Sequence, residues 1–159
     1  MIITTPKIIC ILIMLILLGI AAYEDYKTGI VNDLYILSAG IIVTGLIYGN
    51  LENSIFINMK TNIIFALIIF ILNYVLYFIS AVTNRDGWGG ADVMILASLT
   101  CGFGIYTLFI ILISSFTAYI YTIIKSIYKK EKITKTTTKF IPFIFISTII
   151  IILFCFLKK

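Results

Sequence analysis

The sequence predicts an all-α, polytopic membrane protein with about six transmembrane helices. Three observations carry that expectation. Of the 159 residues, 62% are apolar and only 12% are charged, and the mean hydropathy is +1.17. A soluble domain of that composition would have to expose hydrocarbon over its surface. The apolar residues also fall in long runs parted by short polar segments. Helices that satisfy their own backbone hydrogen bonds inside a bilayer leave that pattern. Finally, the basic residues behind the net charge of +5 lie between and beside these runs. Their position reads as a topology signal and not as a nucleic-acid surface.

The first span is expected at 8–23. Lys7, the apolar run and Gly19-Ile20-Ala21-Ala22 have the look of a secretory signal, but the run continues to Tyr23 and five more apolar spans follow, so it is read as uncleaved. A polar segment, Glu24 to Asp33, holds three of the seven acids. The second span, 34–48, is short and carries Gly40 and Gly45. After a polar connection with Glu52, Asn53 and Asn58, the third span at 62–80 is the clearest by hydropathy.

Val93 to Ile124 holds no charged residue. As one helix these residues would measure about 48 Å, too long for a hydrocarbon core of about 30 Å. Gly102-Phe103-Gly104 therefore predicts a break into spans at 92–103 and 105–124. The fourth span is then unusually short. Either the membrane begins before Asp92, or the glycine turn stops below the far surface and is covered by protein. The last span is expected at 140–157, after a lysine-rich loop.

That loop fixes the expected orientation. Lys125, Lys129, Lys130, Lys132, Lys135 and Lys139 face one acid, Glu131, which reads as cytoplasmic. Counting back two spans at a time puts the loops containing Asp92 and Asp25 on the same side. Lys27 and Arg85 bring the cytoplasmic positive charges to eight, against four outside (Lys7, Lys60, Lys158, Lys159). Inverting the whole protein would still leave Asp25 and Asp92 on one face.

Some chemistry is excluded by composition. There is no histidine, so imidazole metal sites and histidine-based triads are absent. Cys10, Cys101 and Cys155 each stand alone in an apolar run without a Cys-x-x-Cys spacing, and are read as buried, inert thiols. No metal or other cofactor is expected.

Two carboxylates on one membrane face suit a particular reaction. Close together they share a proton. The charged one then serves as general base on water while the protonated one acts as general acid on a carbonyl, which hydrolyses an amide without metal, histidine or nucleophilic serine. Gly89, Gly90 and Ala91 before Asp92 offer a tight turn and close approach of a substrate backbone. The plainer alternatives are that Asp92 caps its helix, worth ~0.5–2 kcal/mol, and that Asp25 is an ordinary loop residue. Asp33 and Asp86 lie on the same side, so spacing alone does not choose the pair, and Asp33 also fits a cap for the second span.

Gly89-Gly90-Ala91-Asp92-Val93 resembles the glycine-x-glycine-aspartate element of intramembrane aspartyl proteases. Asp25-Tyr26-Lys27-Thr28-Gly29-Ile30-Val31-Asn32-Asp33 resembles the first motif of the type IV prepilin peptidases and archaeal preflagellin peptidases. The six-span layout and Phe140-Ile141-Pro142-Phe143 before the last span are similar as well. The chain departs from the pattern at Ala91, where a second glycine is usual, at Asn32 in place of proline, and at Met94, where lysine often stands. The resemblance implies catalytic roles for Asp25 and Asp92, an active-site loop of Gly89, Gly90 and Ala91, and auxiliary positions at Lys27 and Asp33. It implies a single membrane-embedded peptidase domain over 1–159, with no methyltransferase or zinc insert. The expected partners are the lipid bilayer and prepilin-like or archaellin-like precursors, whose short basic leader is cut at the cytoplasmic face. Oligomeric state is not legible. Two other readings stay open: a small ion or proton transporter or channel component using the same acids, and a non-catalytic assembly subunit.

Overall fold

The computed structural model describes residues 5–32, 59–83, 89–130 and 138–157. Five helices are found there: α1 (Thr5–Thr28), α2 (Met59–Val82), α3 (Gly90–Phe103), α4 (Tyr106–Lys129) and α5 (Ile141–Leu157). No strand occurs among the described residues. Two of the helices, over 61–82 and 106–129, are long and apolar enough to cross a membrane, and 90–103 and 141–154 are shorter apolar helices. The span expected at 34–48 lies outside the described residues, as do Asp33 and Asp86.

Packing follows the order α1, α5, α4, α3, α2, each helix against the next. One apolar core joins them, with Met14, Leu18, Ala21 and Ala22 from α1, Leu96 and Leu99 from α3, Ile110 from α4, and Ile141, Ile144 and Ile151 from α5. Gly19 of α1 faces the Phe145 ring of α5, where an added Cβ would make an ordinary contact at 3.4 Å. Outside this core the large apolar side chains of α2, including Ile64, Leu67, Ile71 and Phe78, are exposed. An exposed apolar face of that extent suits a lipid surround.

α1 runs past the apolar stretch. Pro6 is tolerated in its first turn, where the missing N–H would be unpaired anyway. The helix then continues through Glu24, Asp25 and Lys27 before Gly29, at φ +73°, ends it with its N–H on the Asp25 carbonyl at 2.9 Å. The segment expected as a polar loop is thus partly the last helical turn, because nothing before Gly29 breaks a helix.

The uncharged stretch divides where its glycines stand. α3 ends at Phe103, Gly104 takes φ +54° with its N–H on the Thr100 carbonyl at 2.8 Å, and α4 begins at Tyr106. At 14 residues α3 measures about 21 Å, short of a full crossing. Its lower end is covered by protein: Phe103 and Gly104 are buried, and the buried Asn62 of α2 lies against Gly104 and donates to the Cys101 carbonyl at 3.5 Å. Hydroxyls along the helices bond back to their own backbone, as Thr100 does to Leu96 at 2.6 Å and Thr148 to Ile144 at 2.8 Å. Cys101 is only partly buried, which corrects the expectation of a buried thiol at that position.

Candidate active site

Asp25 and Asp92 come from different helices to one end of the bundle. Asp25 sits in the last turn of α1 and is 8% exposed, and Asp92 sits in the first turn of α3 and is 9% exposed. They are near enough for the charge on Asp25 to act on Asp92. Burial of two interacting acids away from any ordinary surface role is costly. The described residues hold no cluster of acids, cysteines or histidines able to bind a metal ion.

Each carboxylate accepts one backbone amide. The Gly89 N–H reaches the Asp92 Oδ2 at 3.0 Å, so Asp92 does cap its own helix, as the plainer reading expects. The Ile141 N–H, in the first turn of α5, reaches the Asp25 Oδ2 at 3.3 Å. A helix N-terminus presents both an unpaired amide and the positive end of its dipole, so this contact favours the charged carboxylate. Asp25 lies beyond the 8–23 stretch, and burial raises its carboxyl above the ordinary 3.8; the Ile141 amide and the nearby Lys139 ammonium pull the other way.

The neighbouring positions behave differently from one another. Gly89 is extended, at φ −80° and ψ 150°, so no left-handed turn requires a glycine there. What it provides is room, because an added Cβ would stand 3.2 Å from the Asp92 Oδ2. At Gly90 the nearest atom to such a Cβ is Tyr77 Cε2 at 4.0 Å, an ordinary contact. Ala91 packs half-buried against the apolar core, where its methyl is useful. Lys27 is exposed and stands over the Tyr23 ring at 5.8 Å from its centroid. Val31 packs against the core, and the Asn32 amide is held by the Glu24 Oε2 at 3.3 Å.

Residues 12–123, well over half of the chain, match the Type IV leader peptidase family. The chain belongs to that family. Asp25 and Asp92 both fall inside the matched region, whereas the α5 end of the site falls outside it. Comparison with curated proteins and with solved structures returns no match. Membership brings a peptidase activity of the leader-peptidase type, and the apolar helices agree with a membrane-associated enzyme of this family.

Two features of this leader peptidase's site are not read from its motifs. One is the Ile141 amide on Asp25, for which Pro142 in the first turn of a helix was the available signal. The other is Lys139, which the sequence offers only as one topogenic lysine among six. Its ammonium lies against the backbone of Gly29, beside Asp25.

Proposed function

We propose that the protein is an aspartic-type endopeptidase that removes the short basic leader of type IV prepilin-like or archaellin-like precursors at the cytoplasmic membrane face. The observation that carries this reading is the pairing of two buried, electrostatically interacting acids at one end of a leader-peptidase-family bundle. One carboxylate takes a proton from water as its oxygen attacks the scissile carbonyl carbon. The other, protonated, donates to the carbonyl oxygen, and collapse of the tetrahedral species passes a proton to the leaving amine. The acids serve an amide substrate with no cofactor. Gly89 and the first helical residues of α3, Gly90 and Ala91, form the helix start beside which the substrate backbone lies, not the loop expected from the sequence, and Lys27 and Asp33 are auxiliary. An ion pathway would draw on the same acids, and the family match favours the peptidase.

The test is co-expression of a pilin-like precursor with wild-type protein, Asp25→Asn or Asp92→Asn, followed by gel mobility of the precursor. Each variant is expected to lower leader removal on the order of a hundredfold or more. Asp33→Asn and Asp86→Asn are the controls and should retain at least partial cleavage. Normal processing by both Asp25→Asn and Asp92→Asn would end the proposal.

A further inference from the structure

Asp25 is approached by a segment that is tied down on both sides. Thr138 Oγ1 and Thr122 Oγ1 of α4 are 2.7 Å apart in a hydrogen bond, and three residues later the Ile141 amide binds the Asp25 carboxylate. Lys139 stands between these two anchors. Its side chain crosses Gly29, where any Cβ would collide with the ammonium, and Gly29 is bonded through its own N–H to the Asp25 carbonyl. The backbone anchors at Thr138 and Ile141 thereby bring the lysine to the end of α1, near the acid.

Among the described residues, the other charges on the elements packed around Asp25 are these. On α1, Glu24 binds the Asn32 amide and Lys27 stands over Tyr23. From α3 comes Asp92, and Ile141 to Phe154 of α5 contain no ionisable side chain. Among the described residues Lys139 is the cation whose charge pulls on Asp25, and Asp92 meets the charge of Asp25 itself.

We propose that Lys139 is a positioning residue for Asp25: its ammonium, set at the end of α1, favours the charged Asp25 carboxylate against the burial that opposes it, and so biases Asp25 toward the base that takes the proton from water and Asp92 toward the acid that holds one. This rests on the two-aspartate reading above. The sequence around Asp25 and Asp92 leaves the two roles interchangeable, whereas the tethered lysine makes them unequal.

The experiment measures kcat/KM against pH for detergent-solubilised full-length protein. Its substrate is a synthetic peptide with a basic leader followed by an apolar segment. The acid limb reports the essential base of the free enzyme. In Lys139→Gln the limb should move to higher pH by a few tenths of a unit, lowering the rate about two- to fivefold at a fixed pH on that limb. Lys139→Arg should restore the wild-type limb. Added salt should move the wild-type limb toward that of Lys139→Gln, because an exposed cation is screened. An unmoved limb in Lys139→Gln, or in wild type with salt should that variant not fold, overturns the proposal. Loss of cleavage in Asp25→Asn with an unmoved limb leaves the two-aspartate reading standing and removes Lys139 alone. Cleavage by Asp25→Asn as fast as wild type removes both.

Discussion

At the residue scale, Asp25 carries two opposed demands. Burial of its carboxyl outweighs the Ile141 amide and the Lys139 ammonium, which both favour the charge, so its pKa lies above 3.8. Catalysis as proposed requires the charged form. Leader cleavage should therefore fall as pH drops through the raised value, which a rate profile from pH 4 to 8 would read. The stability consequence has the opposite direction. A carboxyl whose folded pKa is raised contributes fully below its unfolded value of 3.8, and that contribution is lost as pH rises through the folded value. Asp25→Asn should thus raise the thermal midpoint at pH 7 and give no gain below 3.8, as scanning fluorimetry in detergent would measure. An equal gain at both pH values would show that the charge on Asp25 is not what strains the fold. Gly89 belongs at this scale as well. Its usefulness is the 3.2 Å between a would-be Cβ and Asp92, a property of one distance and not of backbone freedom.

At the element scale, the informative feature is the end of α3. A helix of 14 residues brings Asp92 to one end and must leave its last carbonyls somewhere at the other. Gly104 supplies the positive φ, and Asn62 from α2 fills the space that a side chain at 104 would occupy while donating to Cys101. Gly104→Ala should cost about 1–3 kcal/mol, from the backbone conformation and the displaced amide together. Asn62→Leu should cost about 1–3 kcal/mol by leaving a carbonyl unpaired. Denaturant titration of the detergent-solubilised variants would measure both losses, and a change under 0.5 kcal/mol in each would mean that the turn is held by packing alone. The sequence marks the break through its glycines. That Asn62 covers it, from 39 residues upstream, is not visible in any local pattern.

At the scale of the whole molecule, charge and packing meet at one end of the bundle. The last turn of α1, the first turn of α3, the C-terminal part of α4 and the first turn of α5 lie there, joined by the contacts among Asp25, Asp92, Thr122, Thr138 and Ile141. The lysines at the end of α4 give that end its proposed cytoplasmic side. In a background with Cys10, Cys101 and Cys155 replaced by serine, Lys27→Cys and Lys129→Cys should both escape a membrane-impermeant thiol reagent in intact cells. Both should react after permeabilisation. Reaction of both in intact cells would invert the protein, and a split result would mean that the helix ends do not share a face.

The sequence by itself determined the class of the molecule and its family. Apolar runs, scarce charge and two short aspartate motifs are local properties, and each survives without knowledge of what packs against what. It also left limits. Burial of Asp25 depends on the N-terminus of α5, more than a hundred residues away, and the tether of Lys139 depends on Thr138 meeting Thr122. One lysine among six in a loop gives no sign of such a role, because its charge is identical to its neighbours' and only its position differs. The tertiary structure decided which backbone amide each acid accepts, and which cation stands beside Asp25. Those choices are set by distances between helices, and no periodicity or motif within a single helix encodes them.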